Sequence, residues 1–436
     1  MFRADTGQAA GLYPFLHSAS LPPIGVYMGW DVHTQQAFSA HPSAWVAEGL
    51  ATNPNVMITG IPGSGKSAHI KALCLRMMAL GHRALIAGDL KGEYAGLCEY
   101  LGTQPVRLGP GLPGRLNPLD AGPLGETASL SEDERSARIT EVRRRRLTLL
   151  GSLLALQLRR PLAPAEEEVL RVALAEVTGE LSGSSAGPVG DPTLPDIHRV
   201  LTDPTAEMAR ALRVRDGDLQ STREQMATMR ATLGNMIDGH LGGIFDAPTS
   251  ISLDWDAPIQ SIDISSVDKG YPDETVAMIL TCVSSWAQSA TDQPGRPWIV
   301  VRDELWRQIS SGGTAMVAKL DSDLRLSRNT GTTQVMATHR LSDFEGADAA
   351  AARVAKHLIS SCATRITLAQ DTTPLAATKE AIGLTDAECA LINSWGAAQR
   401  GRALWRVDQG TGSYAVQLVL SELEARLFHT DERMAR

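Results

Sequence analysis

The chain has 436 residues, 43% of them hydrophobic, with a formal net charge of −8 and a pI near 5.7. That is enough apolar material for one large core and a second lobe, while the acidic balance excludes a generally basic, nucleic-acid-coating protein and leaves room only for a local basic channel. The longest apolar run, Leu147 to Leu158, is broken by Thr148, Gly151, Ser152 and Gln157, which excludes a membrane span. Cys74, Cys98, Cys282, Cys362 and Cys389 show no C-x-x-C spacing, so neither a zinc site nor a disulfide framework is expected. With no basic start or apolar centre of a signal peptide, the expectation is a protein of the cytoplasmic side, held at the membrane only through partners.

From Met1 to about Leu50 the text mixes Pro, Gly and aromatic residues with extended runs such as Gly25-Val26-Tyr27-Met28-Gly29. It reads as a strand-bearing lead-in over residues 1–50. Val56-Met57-Ile58-Thr59 is short, apolar and partly β-branched, as a buried parallel strand is. It runs into Gly60-Ile61-Pro62-Gly63-Ser64-Gly65-Lys66-Ser67, a complete G-x-x-x-x-G-K-S phosphate-binding loop. Behind it Ile70, Leu73, Cys74, Met77 and Leu80 recur at three- and four-residue steps, one face of a helix. In that setting Gly60, Pro62, Gly63, Ser64 and Gly65 shape a loop whose backbone N–H groups turn onto a phosphate, reinforced by the helix dipole. Lys66 reaches the β- and γ-phosphates and the Ser67 hydroxyl holds Mg²⁺, so ATP and Mg²⁺ are the expected cofactors.

Strands are expected next at 83–88 and 105–108. After Asn117-Pro118-Leu119-Asp120 the character changes to long helical segments. Ser131-Glu132-Asp133-Glu134 marks one helix start, Glu166-Glu167-Glu168 fills a first turn after Pro164, and 181–191 is a Gly/Ser/Pro-rich loop. Within this region Arg143-Arg144-Arg145-Arg146 point about 100° apart from one to the next on a helix, so they form no single stripe. Glu132, Asp133, Glu134 and Glu141 nearly balance them, which favours a solvated helix over a DNA or partner contact. Strand-type text resumes at 251–253, 260–264, 298–301, 334–338 and 365–368. The alternation implies an α/β fold with a mainly parallel sheet between helices, its core formed by 51–120 and 244–436 and interrupted by a helical insertion at 121–243. Trp298-Ile299-Val300-Val301 ends in Arg302, Asp303 and Glu304. An acidic pair at the carboxyl end of a buried strand is the Walker B arrangement, with Asp303 on the Mg²⁺ water shell and Glu304 polarising the attacking water. Arg302 has no evident role.

Taken in order, the phosphate loop, Asp89-Leu90-Lys91-Gly92-Glu93-Tyr94, Asn117-Pro118-Leu119-Asp120, the helical stretch, Asp303-Glu304 and Ala337-Thr338-His339-Arg340-Leu341-Ser342-Asp343 carry a resemblance. The series resembles the ATPase half of the TraC-type conjugation ATPases, which power type IV secretion, within the HerA–FtsK superfamily of hexameric motors. It spans about residues 50 to 430, and its D-x-K-G-E-Y and N-P-L-D elements are far more specific than the phosphate loop alone. The resemblance implies a RecA-like P-loop NTPase core with an all-helical insertion, assembled as an ATP-driven homo-hexamer that works with membrane-associated channel proteins. It also implies an arginine acting on the neighbouring subunit's site and a polar sensor after the strand beyond Asp303-Glu304. Arg328 matches the family's R-x-x-G position, with Arg325 on the same helical face and Arg365 on a later strand as competitors. The sensor falls on His339, where the family usually has Gln; imidazole also donates one hydrogen bond, with a role set by its tautomer. Relatives carry a large N-terminal docking domain where about fifty residues precede the core here, so a minimal version, a C-terminal fragment or a separately encoded docking domain is expected.

The function expected is therefore Mg²⁺-ATP hydrolysis by Lys66, Glu304, Arg328 and His339, energising a conjugation or secretion channel. The alternative is a DNA-translocating hexamer of the coupling-protein or HerA/FtsK kind, which keeps DNA as a candidate partner. A nucleotide-binding scaffold with no turnover fits worst, because both Walker motifs are complete.

Overall fold

The computed structural model describes residues 21–125, 129–182, 191–214, 217–251, 254, 256–268, 271–291, 297–305, 307, 320–321, 324–325, 327, 331–339, 358–396, 399–408 and 412–428. Its strands are β1 (Val26–Asp31), β2 (Ala37–Ala40), β3 (Val56–Thr59), β4 (Arg83–Asp89), β5 (Val106–Arg107) and β6 (Ile259–Asp263). The later ones are β7 (Trp298–Arg302), β8 (Thr333–Thr338), β9 (Thr364–Leu368), β10 (Arg402–Val407) and β11 (Ser413–Leu418). They form one sheet in the order β2-β1-β11-β10-β9-β3-β8-β7-β4-β6-β5. From β9 to β5 every pairing is parallel; from β9 back to β2 every pairing is antiparallel.

Burial on both faces explains the near-continuous apolar text of the central strands. β3, β7 and β8 are buried at every residue. On one face Val56, Ile58, Ile299, Val301, Val335 and Ala337 join an apolar cluster with Ile70, Leu73 and Met77 of the helix Lys66–Met78. On the other, Met57, Val300 and Met336 join the helices Glu132–Leu158, Pro164–Val177, Leu219–Asn235 and Asp273–Thr291 through residues such as Leu149, Val169, Met229 and Ile279. The period-two alternation of each strand thus serves two separate helix layers.

The helical stretch starts as its sequence says. Ser131 caps the helix Glu132–Leu158 in a reciprocal capping box with Glu134, and Thr193 does the same with Asp196 for the helix Leu194–Thr202. The N-P-L-D turn is the knot that holds this stretch to the sheet. Asn117 donates from Nδ2 to Pro192 O (3.1 Å) and accepts on Oδ1 from Leu119 N (3.1 Å), while Asp120 Oδ2 accepts from Thr249 Oγ1 (2.6 Å). Entry, middle and exit of the helical stretch therefore meet at one turn.

Ile251 lies outside any strand, and the rest of the strand expected at 251–253 lies outside the described residues. The antiparallel pair β10–β11 was not foreseen, and it is the element through which β1 and β2 of the lead-in join the sheet.

Candidate nucleotide site

Parallel strands put their following loops at one sheet edge, and β3, β8, β7 and β4 are consecutive in the sheet. The phosphate loop, His339, Asp303-Glu304 and the Lys91 loop are therefore neighbours because of strand order, although they span 60 to 339 in sequence.

The loop itself is held by backbone contacts. Ile61 N donates to Ala369 O (2.9 Å), Ser64 N to Ile61 O (3.2 Å) and Gly401 N to Ser64 O (3.0 Å). Gly65 has φ +112° and caps the helix Lys66–Met78; a Cβ there would lie 3.2 Å from Gly401 Cα. Only glycine meets both demands, the conformation and the close approach. Gly63, at φ +77°, and Pro62 sit exposed at the loop tip, while Gly60 and Ser64 are buried beneath it.

Lys66 is buried and its three donors are engaged: Gly60 O at 2.6 Å, Ile61 O at 3.2 Å and His339 Nδ1 at 2.8 Å. Burial lowers its pKa to about 8, opposed by the carboxylates of Asp303 and Glu304. Because an ammonium only donates, His339 Nδ1 accepts, and Nε2 carries the proton that it donates to Glu304 Oε1 at 2.9 Å. The tautomer that the sequence left open is thus set by its two neighbours, and His339 bridges the phosphate-loop lysine to the acidic pair. Glu304 is a non-glycine residue at φ +51°, a left-handed backbone that costs of order 1 kcal/mol or more and is tolerated at functional sites. Burial pushes its carboxyl up, but the His339 hydrogen bond and the Lys91 charge outweigh that and hold it well below the usual carboxylate range. Asp303 goes the other way: burial first, then the Glu304 charge beside it, push it up to about 6. Adjacent carboxyls with pKa values driven apart are the arrangement expected of two different roles.

Lys91 was quoted in the sequence only as part of a motif, and the structure gives it a place. Its ammonium lies 2.7 Å from Glu304 Oε1 and 4.0 Å from Glu93 Oε1. The signal that could have found it is topological: a lysine just after β4 faces an acidic pair just after β7 when those strands are neighbours.

The arginines separate clearly. Arg328 lies outside the described residues. Arg325 is exposed and pairs with Asp321 at 2.8 Å. Arg365 pairs with Asp408 at 3.0 Å and donates to Ile359 O, at the amino end of its strand and away from the phosphate loop. Arg302 is fully buried and donates to Ser284 Oγ (2.8 Å), Gln288 Oε1 (3.4 Å) and Gln334 Oε1. Each of Arg143, Arg144, Arg145 and Arg146 has a carboxylate partner: Glu180, Glu141, Glu141 and Asp191, at 2.8, 2.7, 2.7 and 2.6 Å. The solvated helix expected from the sequence holds for the exposed Arg144, whereas Arg143 and Arg145 are half-buried and Arg146 is buried.

Mg²⁺ and a phosphate chain fit these residues. Glycines at positive φ open the loop backbone, Ser67 stands half-buried in the first helical turn, and Asp303 is a carboxylate whose burial disfavours its charge until a cation approaches. Among the described residues no group of three or more His, Cys, Asp or Glu gathers as a metal cage. Among the described residues no helix is long and apolar enough to cross a membrane.

A scan of protein-family models gives no match, and a sequence search of curated proteins gives none either. Solved structures are similar. VirB4 of Thermoanaerobacter pseudethanolicus matches over 94% of this chain and 100% of its own, at 21% identity and a TM-score of 0.71. The plasmid coupling protein TrwB in complex with the non-hydrolysable ATP analogue ADPNP matches over 86% of this chain and 87% of its own, at 14% identity and a TM-score of 0.57. TrwB in complex with ADP and Mg²⁺ matches over 84% and 85%, at 15% identity and a TM-score of 0.55. The α/β, RecA-like fold expected from the sequence is borne out: this chain has the fold of VirB4 and of the coupling protein TrwB.

Proposed function

We propose that the chain is a Mg²⁺-dependent ATPase that works as a ring motor of a conjugation or type IV secretion apparatus. The observation that carries the reading is the continuous contact Lys66–His339–Glu304, which ties the phosphate loop to the acidic pair at one sheet edge. The phosphate loop and Lys66 bind the phosphates, and Ser67 and Asp303 hold the ion, whose charge would offset that of the phosphates. Glu304 takes the proton of the attacking water, and His339 reports to it whether Lys66 is engaged. Residues 121–243 act as a helical insertion in a core built from 51–120 and 244–436. The trans arginine is assigned to Arg328 and the assembly to a homo-hexamer docked on channel proteins. The greater coverage and higher TM-score of VirB4 relative to TrwB, and the internal pairing of the basic run, favour a secretion ATPase over a DNA translocase.

Steady-state hydrolysis and equilibrium nucleotide binding test this. Lys66→Ala is expected to lose both, with turnover down ~100-fold or more. Glu304→Gln is expected to bind nucleotide as the wild type does and to lose turnover by a similar factor, since Glu304 acts only on the water. A Glu304→Gln protein at near wild-type rate removes the general-base assignment, and a rate that rises strongly with added DNA moves the protein to the translocase class.

A further inference from the structure

Glu304 needs more than a strained backbone to hold its carboxylate in one place. Its φ of +51° fixes where the side chain starts, not how its carboxylate plane is turned. Two donors converge on Oε1: His339 Nε2 at 2.9 Å and Lys91 Nζ at 2.7 Å. Donors arriving on one oxygen from two different loops define that plane and so define where Oε2 is presented. His339 comes from the β8 side and Lys91 from the β4 side, so the carboxylate is braced across β7 from both neighbouring strands.

The Lys91 loop is built to be rigid. Asp89, buried at the end of β4, accepts backbone N–H bonds from Lys91 (3.2 Å) and Glu93 (3.1 Å) on Oδ1 and from Tyr94 (3.0 Å) on Oδ2. Gly92 turns the chain at φ +66°, a conformation that glycine takes without strain. Glu93 then faces Lys91 at 4.0 Å and the fully buried Lys71 at 3.9 Å, giving an alternating row Lys71–Glu93–Lys91–Glu304 that reaches back into the helix of the phosphate loop. A loose surface lysine would contribute little to orientation; this one is 39% exposed but ends on a carboxylate that is 7% exposed, from a loop tied down at three amides.

We propose that Lys91 is a positioning residue for Glu304, setting the orientation from which that carboxylate takes the proton of water. The proposal rests on the hydrolase reading above. It makes the D-x-K-G-E-Y segment part of the catalytic apparatus through Lys91, with Asp89 and Gly92 as its mount and Glu93 as its second support.

The test uses the full chain and separates orientation from binding and stability. Lys91→Ala is expected to lower kcat by ~10-fold or more while KM, the dissociation constant of a fluorescent ATP analogue and Tm stay within about twofold or a few degrees of wild type. Lys91→Arg, which keeps a cationic donor, is expected to recover most of that loss. In a Glu304→Gln background Lys91→Ala is expected to add nothing further, because it acts through the missing carboxylate. An activity-independent arm uses a water-soluble carbodiimide, which joins contacting amines and carboxylates as amides. Mass spectrometry is expected to find a Lys91–Glu304 linked peptide in wild-type protein without nucleotide and to lose it in Glu304→Gln. A Lys91→Ala kcat within twofold of wild type, or above it, overturns the proposal, as do an equal loss in both backgrounds, a matching loss of nucleotide affinity, or absence of the linked peptide. Equal turnover of wild type and Glu304→Gln removes instead the general-base assignment of Glu304 made above, whatever the cross-link shows.

Discussion

Arg302 had no evident role in the sequence, and its neighbours there do not supply one. Next to Asp303 and Glu304 it looks like one more charge at a strand end. Strand alternation instead turns it to the face that carries Trp298 and Val300, against the helix Asp273–Thr291. There Ser284 and Gln288, four residues apart on that helix, and Gln334 of β8 receive its guanidinium, and Gln334 Nε2 donates to Gln288 Oε1 at 3.1 Å. Arg302 thus joins β7, β8 and a helix beneath the acidic pair. Arg302→Met keeps much of the volume but leaves buried amide and hydroxyl groups without a donor. It is expected to destabilise the protein by ~2–4 kcal/mol in urea unfolding, while the folded fraction keeps its nucleotide affinity. Ser284 and Gln288, one turn apart among several buried polar residues of that helix, are the partners that the sequence alone did not connect to Arg302.

At the scale of elements, the N-P-L-D turn does structural work that its motif status did not reveal. Arg146, nearly fully buried, reaches it from the long helix, donating to Leu119 O (2.7 Å) and to Asp191 Oδ1 (2.6 Å), which also accepts from Ala121 N (2.9 Å). Of the four consecutive arginines only this one is buried at a junction between segments. Arg146→Ala is expected to cost ~1–3 kcal/mol and to raise amide exchange around residues 117–121. Arg144→Ala, at an exposed position whose pairing with Glu141 faces solvent, is expected to stay within ~0.5 kcal/mol. Which strands could be read from sequence follows from burial. β3, β4 and β7 are covered on both faces and announce themselves as apolar runs, whereas β6, β8 and β9 are as buried but mix in Gln, Ser, Thr or Arg. β10 and β11 are half-buried at their first and fifth residues and carry Arg, Trp, Tyr and Gln, so their signal around a Gly-containing turn is weaker and more local. The phosphate loop and acidic pair were legible because each is contiguous. The Lys91–Glu304 contact was not, because it exists only through the neighbouring of β4 and β7.

For the whole molecule, Leu324 and Ser327, in the stretch before β8, lie at the end of the sheet opposite the phosphate loop. Asn55, just before β3, donates from Nδ2 to Leu324 O (3.1 Å) and accepts from Ser327 Oγ (2.8 Å), which pins that segment at the amino end of β3, while the phosphate loop leaves the carboxyl end. A finger from this segment acts, under the ring proposal, on the next subunit. Mixing Arg328→Ala subunits with Lys66→Ala subunits is then expected to restore hydrolysis that neither shows alone. At equal mixing, roughly a quarter of interfaces pair an intact phosphate loop with an intact arginine. No recovery in mixed rings of confirmed size removes the trans assignment, and recovery with Arg325→Ala in place of Arg328→Ala moves the finger by one helical turn.

The placing of β3 also decides when the protein becomes itself during synthesis. β3 is flanked in the sheet by β8 and β9, whose residues begin at Thr333 and Thr364. At roughly 5–20 residues per second, the segment that carries the phosphate loop waits on the order of tens of seconds on the ribosome before either neighbour exists. Until then its apolar strand is an open edge with nothing native to pair with. The nascent chain therefore passes through a long interval in which holding factors have a surface to bind and nucleotide does not. Nucleotide can stabilise only the finished sheet, so it acts as a check on completion rather than an aid to early folding.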